Sequence, residues 1–320
     1  MAVPEPLPKS TQPRALAALG LLSLLWALGS LRSDLLPQFF PPDDQLPFFQ
    51  RLALPLILFA LAAAAFALIR KSPWPRGRSL VDTLFVSLGL FVAPGVLLFL
   101  AADGISDLSR VALYSLAPVF AAVLEPHLGR PDALQRSTSL LAPLVAVAGT
   151  FCLFPLYLPQ SIAAACSFAA VLLAVVSVAA ANCFAVRIAS ELPPAALLPF
   201  AALASGAAGL VFSMNALLSA PVPTHPLTLV PTLLWSAFVD LPSLALLFWL
   251  LPRLSATRMT TRFLVAPLFT NLLALALFRP PIDLRELLGL VLVILASGSI
   301  LLTPPESPPS GNSQLNLPNQ

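Results

Sequence analysis

The sequence has few charged residues. Only 10% of its 320 residues are Asp, Glu, Lys or Arg, whereas 58% are hydrophobic. An average soluble domain is about 25% charged, so this composition indicates an integral membrane protein. A membrane-embedded enzyme, such as a lipid-modifying transferase, needs polar and charged side chains clustered at one interface. With two histidines and scattered acids, the chain offers little for that class.

Cysteines and nucleotide-binding motifs are also scarce. The three cysteines, Cys152, Cys166 and Cys183, lie within apolar stretches rather than at metal-ligand spacing, which is typical of small buried side chains. No segment combines a basic patch with exposed aromatic residues, so nucleic acid is not expected as a partner. No glycine-rich phosphate-binding loop is present. The sequence therefore predicts neither a metal nor a cofactor, and any transport would be driven by a gradient.

Long apolar runs fill most of the chain. A helix needs about 20 residues to cross about 30 Å of hydrocarbon. By this measure the sequence predicts ten transmembrane helices, and no loop is long enough to hold a soluble domain. The predicted spans cover approximately residues 15–31, 52–69, 80–101, 109–126, 137–154, 161–186, 193–218, 226–251, 256–278 and 287–302.

The segment from Leu116 to Arg136 is repeated later in the chain. A shift of 149 residues, which takes Ala117 to Ala266, aligns the two copies without a gap, and the match extends in both directions. The rarer residues in register are Pro118 with Pro267, Phe120 with Phe269, Arg130 with Arg279, Pro131 with Pro280, Arg136 with Arg285, Gly149 with Gly298 and Pro155 with Pro304. An internal duplication of this period in an apolar chain is typical of transporters built from two halves.

The duplication divides the ten predicted helices into two sets of five. Residues 14–157 are predicted to form the first repeat and residues 158–303 the second, with disordered tails at 1–13 and 304–320. An odd number of spans gives the second repeat the opposite polarity, so the fold class is an all-α membrane protein of two inverted five-helix repeats. The run 15–31 also has features of a signal peptide. A retained span is favoured because both halves need equal numbers of helices.

The positions of Lys and Arg predict the orientation. With the N-terminus inside, twelve of the 17 basic residues lie in inner segments and five in outer segments. The positive-inside rule then puts both termini in the cytoplasm of a multi-pass protein of the inner or plasma membrane. The oligomeric state is open on this evidence, with a homodimer as one alternative.

Two segments resemble one transporter family. Residues Tyr114 to Phe154, reading YSLAPVFAAVLEPHLGRPDALQRSTSLLAPLVAVAGTFCLF, resemble the end of an EamA-type domain of the drug/metabolite transporter superfamily, and Phe263 to Leu302 resemble it more loosely. The resemblance implies ten spans in two five-helix repeats. Where the family pattern has Glu after the glycine of the turn, this chain has Arg130, and the repeated position has Arg279.

The sequence predicts a substrate site near the middle of the membrane. Asp240 is its principal residue because a carboxylate inside a span costs about 2.5–3.5 kcal/mol on insertion scales. Facing a cavity, it would bind a cation or amine, or exchange a proton. The alternative is an acid that is protonated or bonded to a neighbouring Ser, Thr or Asn and serves packing. Asn215 and Asn271 are weaker candidates, and Asn271 shares a helix face with Pro267, one turn earlier.

Prolines interrupt the predicted helices at matching places. Pro94 with Gly95 interrupts the third span, Pro242 interrupts the eighth, and Pro118 and Pro267 match in the fourth and ninth. Interruptions at corresponding places in two halves favour a site near the midplane; the alternative is that proline is simply tolerated in membrane helices. These four spans would line an apolar cavity with the aromatic residues Phe91, Phe120, Trp235, Phe238 and Phe269.

Glu125 and His127 end the fourth predicted span. They could shuttle protons, but an exposed interfacial pair with its polar tips in water is favoured.

Together these features predict a secondary transporter, of the exporter type, that moves a small organic metabolite or drug-like solute across the lipid bilayer. It would work by alternating access between two inverted repeats. Two alternatives remain from other classes, a non-transporting scaffold or sensor and the membrane-embedded lipid-modifying enzyme.

Overall fold

Within the residues that the structure describes, the chain forms helices joined by short connections, and no strand is present. The computed structural model describes residues 12–36, 47–129, 140–219, 226–279 and 283–302. Nine of the helices in these ranges are long and apolar enough to cross a membrane, by length and composition. The prediction of an all-helical chain of long apolar segments is confirmed, and the fold is compatible with a multi-pass membrane protein.

Ten apolar helical segments within these ranges are numbered α1 to α10. They are α1 Gln12–Ser30, α2 Phe48–Ile69, α3 Arg78–Leu100, α4 Asp107–Leu128, α5 Leu141–Leu153, α6 Ile162–Glu191, α7 Pro194–Leu218, α8 Val230–Leu250, α9 Ala256–Phe278 and α10 Leu284–Leu302. The predicted fifth span is the short one: α5 has 13 residues. At 1.5 Å per residue, that is about 20 Å, less than the hydrocarbon thickness.

The outer surface of the helices is apolar, and serine residues cap several helix starts. Large apolar side chains such as Leu100, Ile162 and Leu173 are exposed, as expected of helices that face lipid. Serine caps start three of the helices. The hydroxyl of Ser106 accepts the backbone N–H of Ser109 before α4, that of Ser161 accepts the N–H of Ala164 before α6, and that of Ser255 accepts the N–H of Arg258 before α9. Ser106 and Ser255 are related by the 149-residue shift.

Helices from the two halves of the chain pack against each other more than neighbours in sequence do. The most extensive packing joins α2 to α7 and α5 to α10. Further contacts join α4 to α6, α1 to α9, α3 to α6, α1 to α8, α3 to α7 and α2 to α8. The two halves are therefore interleaved into one bundle rather than folded as separate units.

The α5–α10 contact depends on a close backbone approach. A Cβ atom on Gly149 would lie 2.8 Å from the Cβ of Leu292, and one on Gly289 would lie 2.8 Å from the carbonyl oxygen of Gly149. Real Cβ atoms do not come that near, so the glycines set how closely these two helices cross.

A π-helical turn interrupts α3 and another interrupts α8. The turns are Leu88–Val92 and Ser236–Asp240, and each is followed directly by an α-helix with a proline in its first turn, Pro94 and Pro242 respectively. Proline has no N–H for the preceding turn, and the wider π turn accommodates its ring. In α3 the carbonyl of Gly89, five residues before Pro94, accepts the hydroxyl of Ser177 from α6 at 3.2 Å.

The matched prolines of α4 and α9 occupy different places. Pro118 follows a break in α4, between Asp107–Tyr114 and Ala117–Leu128. Pro267 lies inside the longer segment of α9, Arg262–Phe278, which follows a break at Thr261. Both helices are interrupted, but only in α4 does the proline stand at the interruption.

Part of the predicted repeat falls outside the described residues. Arg130, Pro131, Arg136, Pro280, residues 1–11 of the predicted N-terminal tail and the predicted tail 304–320 lie there. Gln12 and Pro13, which were also predicted to be in the disordered tail, instead begin α1. Arg279 is described and ends α9 with a left-handed backbone, φ 49°.

Candidate functional site

Asp240 is the middle residue of α8 and ends its π-helical turn. It is half-buried, and its Oδ2 accepts a hydrogen bond from the hydroxyl of Ser236 at 2.9 Å. The π turn packs against α1 and α2. The carboxylate is therefore about 15 Å from either end of α8, at the depth expected for a substrate site, and one neighbouring serine already contacts it.

The guanidinium group of Arg32 lies near Asp240, and that of Arg51 lies near Arg32. Arg32 lies in a one-turn helix, Arg32–Leu35, just after α1, and Arg51 lies in the first turn of α2. Burial lowers the pKa of Arg32, the neighbouring charge of Arg51 lowers it further, and Asp240 acts in the opposite direction. Arg32 thus lies within electrostatic range of both Arg51 and Asp240. Neither arginine was a predicted site residue, because both were counted as loop charges.

Polar side chains also join α1 to α9. The hydroxyl groups of Ser30 and Thr270 lie 3.1 Å apart. The next residue, Asn271, is half-buried, and its Nδ2 is buried without a hydrogen-bond partner among the described residues. An amide nitrogen has two donors, so Asn271 retains hydrogen-bonding capacity at this level of α9.

The other predicted site residues have more ordinary surroundings. The Nδ2 of Asn215 donates to the carbonyl of Val211 in its own helix at 2.9 Å. Phe120 packs against the main hydrophobic core, while Trp235 and Phe269 are half-buried. Phe238 is 75% exposed. Its predicted place in the cavity wall is wrong, because the π turn directs this ring to the outer surface of the bundle.

Arg262 is the most deeply buried charged residue that the structure describes, and the sequence analysis missed it. Its side chain is 1% exposed. The Nη1 donates to Oδ1 of Asn182 at 3.1 Å and to the carbonyl of Met259 at 2.8 Å, while Nε has no hydrogen-bond partner among the described residues. Burying a charge is costly unless it is paired, and both partners here are neutral.

Aromatic rings surround the Arg262 guanidinium. Its central carbon lies 4.7 Å from the centre of the Phe263 ring and 5.2 Å from that of Trp26. Tyr114 packs against Phe263 with ring centres 5.4 Å apart. The site is thus built from α1, α4, α6 and α9, and cation–π attraction to the ring faces partly compensates the buried charge.

A local signal could have located Arg262. It was counted among the basic residues of an inner segment, although the predicted ninth span, 256–278, contains it. Ser255 is a helix-capping residue type, and a cap there supports a helix start at Ala256. Arg262 then lies six residues, about 9 Å, inside α9.

Glu125 is buried and binds the start of α9. Its Oε1 accepts the backbone N–H of Ala256 at 2.8 Å, and its Oε2 accepts the N–H and the hydroxyl of Thr257 at 3.1 and 2.6 Å. The prediction of an exposed interfacial pair is therefore wrong for Glu125, which is 6% exposed, while His127 is exposed. The first N–H groups of a helix lack acceptors within it and attract a carboxylate.

Metal-binding geometry is absent from the described part of the chain, where no three His, Cys, Asp or Glu side chains come together to hold an ion. A cavity of about 170 Å³ lies between the α3–α4 and α5–α6 connections, lined by Gly104, Ser109, Tyr157 and Phe168 among others. None of the site residues described above lines it.

Comparisons with known proteins establish the fold alone. No protein-family model matches the chain, and no curated protein matches it. Solved structures do match. One of them, described only as the crystal structure of a protein, aligns with 90% of this chain and 98% of its own, with a TM-score of 0.70 and 14% identical residues. At that identity the similarity supports a shared fold and gives no information about the activity.

Proposed function

We propose that the protein is a secondary transporter, of the exporter type, that moves a small organic solute by alternating access between two inverted five-helix repeats. The observation that carries the proposal is the pair of π-helical turns in α3 and α8. Each turn lies just before a proline. The second turn begins at Ser236 and the first at Leu88, so their separation is one residue shorter than the 149-residue shift of the repeat. Helices interrupted at corresponding places in two halves are the usual location of a transporter binding site.

The helix contacts support a repeat relationship between residues 14–157 and 158–303. Exchanging the two halves turns α1 into α6, α2 into α7, and so on to α5 and α10. The contacts α2–α7 and α5–α10 then map onto themselves, α4–α6 onto α1–α9, α3–α6 onto α1–α8, and α3–α7 onto α2–α8. Each of these contacts is present. A relationship of this kind between repeats of five helices is that of inverted repeats.

The sequence supports the same assignment. The segment from Tyr114 to Phe154 resembles the end of an EamA-type domain, and we place the protein among divergent members of that transporter family. The excess of Lys and Arg in alternate segments supports cytoplasmic termini and a location in the inner or plasma membrane.

In the proposed cycle, rocking of one half against the other exposes the centre of the bundle to each side in turn. Asp240 would bind an amine or a cation, or exchange a proton as the site changes sides. The positive charge of Arg32 acts on Asp240, so a proton or a positive group that reaches Asp240 changes the charge balance of this pair. Asn271 provides a further donor on α9.

The test is solute flux into proteoliposomes under an imposed proton gradient, with a panel of amino acids and cationic drugs. We expect the wild type to move at least one solute and Asp240→Asn to lose most of that flux. Asp107→Asn is the matched control, because Asp107 is an exposed carboxylate paired with Arg110 at 2.9 Å on the surface. Equal flux in wild type and Asp240→Asn would make Asp240 structural. Absence of any flux would favour the scaffold or sensor.

A further inference from the structure

The charge of Arg262 has no acidic partner in the described part of the chain. Two ion pairs in that part are Arg110 with Asp107 and Arg187 with Glu191, and all four of these residues lie near the ends of helices. Arg262 instead contacts an amide oxygen and a backbone carbonyl. A buried cation whose protein partners are all neutral carries a full positive charge that an anion could pair with.

The unpaired atom of Arg262 is on the edge of the guanidinium that a carboxylate prefers. Asn182 and Met259 both bind Nη1. Nε belongs to the side-on edge, through which Arg forms two parallel hydrogen bonds with a carboxylate. Nε is buried and bonds to no atom of the described residues. The Nε of Arg262 can therefore donate a hydrogen bond to a planar anion, at a position that water does not reach.

The walls around this edge are aromatic. Trp26 and Phe263 flank the guanidinium, and Tyr114 packs on Phe263. These rings would contact the apolar body of a solute, while Arg262 supplies its only charge contact. The residues come from α1 and α4 of the first half and from α6 and α9 of the second, so the site lies where relative movement of the halves would open it.

We propose that Arg262 binds the carboxylate of a small organic acid or amino acid that Trp26 and Phe263 enclose. The assignment rests on the proposed transport function only where it names this acid as the transported solute. Asn182 and Met259 orient the guanidinium through Nη1, and Nε donates to the carboxylate. The structure encloses the cation, with 1% of the Arg262 side chain exposed.

Binding of matched carboxylates and amides tests the assignment. The probes are benzoate with benzamide, succinate with succinamide, and L-phenylalanine with L-phenylalaninamide, added to the purified full-length protein in detergent. Each pair differs chiefly in the charge of the carbonyl group. We expect at least one carboxylate to raise the melting temperature and to bind at least tenfold more tightly than its amide. Equal behaviour of every acid and its amide, including no binding of either, would overturn the assignment.

Three variants locate the carboxylate preference. Arg262→Gln should lose at least tenfold in affinity for the acid and none for the amide, while Arg262→Lys should retain part of the preference because it keeps the charge. Arg187→Gln, which removes a guanidinium from an exposed pair, should bind as the wild type does. Unchanged acid binding in Arg262→Gln would overturn the assignment.

A purely structural role for Arg262 makes a different prediction. Asn182→Ala removes one bond to Nη1 but leaves the charge, so it should keep the preference for the acid even if it melts earlier. If Arg262→Gln does not fold, as judged by size-exclusion chromatography, Arg262→Lys and Asn182→Ala carry the test. Parallel loss of acid and amide binding in both variants would show a structural role.

Flux measurements separate this inference from the transport function. Binding of the carboxylate through Arg262 without flux in proteoliposomes would refute the transporter and leave the site intact. Flux of acid and amide at equal rates, unaffected by Arg262→Gln, would leave the transporter intact and refute the site.

Discussion

Glu125 of α4 and Thr257 of α9 are joined by two hydrogen bonds. One carboxylate oxygen accepts both the backbone N–H and the hydroxyl of Thr257, at 3.1 and 2.6 Å, and the other oxygen accepts the N–H of Ala256. The carboxylate thereby ties the end of one helix to the beginning of another that lies far along the chain. This contact connects the two halves of the bundle at one face.

Replacement of Glu125 by Gln should destabilise the fold. A neutral amide has one acceptor oxygen for three donors and no charge to interact with the helix dipole. Leaving buried donors unsatisfied costs about 1–3 kcal/mol. We expect a lower melting temperature for Glu125→Gln in detergent. The control is His127→Gln, at an exposed position of the same helix end, which should melt as the wild type does; an equal effect of both changes would contradict the capping role.

Gly149→Ala should weaken the crossing of α5 and α10. The added Cβ would meet Leu292 at 2.8 Å and the backbone of Val293 at 3.0 Å, and overpacking of this kind costs about 1–3 kcal/mol. Gly298→Ala is the matched control, because nothing lies within 4 Å of a Cβ there. It should change stability by less than about 1 kcal/mol. Thermal unfolding measures both, and equal melting temperatures would refute the close approach.

Pro242→Ala should reduce transport without reducing stability. Alanine restores a backbone N–H after the π-helical turn of α8, which favours a continuous helix. We expect a melting temperature equal to or above that of the wild type, with flux reduced severalfold. Pro231→Ala, in the regular part of the same helix before the turn, is the control. Unchanged flux in Pro242→Ala would separate the π turn from the mechanism.

Arg32 and Asp240 should show energetic coupling. Their charges influence each other across the end of α1 and the π turn of α8. Arg32→Gln and Asp240→Asn, made singly and together, form a double-mutant cycle, and coupling between residues that share an interaction is about 0.5–3 kcal/mol. We expect the double variant to be less destabilised than the sum of the single variants. Additive changes in unfolding free energy would show that the two charges act independently.

The helices were predictable because hydrocarbon imposes a local requirement. A chain in the membrane interior must satisfy its backbone within each segment, so an apolar run of sufficient length forms a helix whatever surrounds it. The predicted third span, 80–101, accordingly became Arg78–Leu100. The prediction was less accurate for α5, where only Leu141–Leu153 of the predicted 137–154 is helical within the described residues.

The candidate site was predictable only in part. Asp240 stood out because a single acid in an apolar run has no local explanation, whereas Arg262 was counted as an inner-segment charge although the predicted ninth span contains it. Phe238 was misplaced because the orientation of a ring depends on the local π turn, which shifts the face of the helix. The repeated prolines predicted where α3 and α8 depart from a regular α-helix. They did not predict the break in α9 at Thr261.

The sequence by itself determined that this chain makes apolar helices, where most of them begin and end, and that its two halves share a pattern, because these properties depend on composition and local spacing. Only the tertiary structure decided which side chains meet. Glu125 reaches Ala256, 131 residues away, and Arg262 reaches Asn182, 80 residues away. Whether a charge is buried, and what it then contacts, depends on helices that are distant in sequence, and no local pattern carries that information.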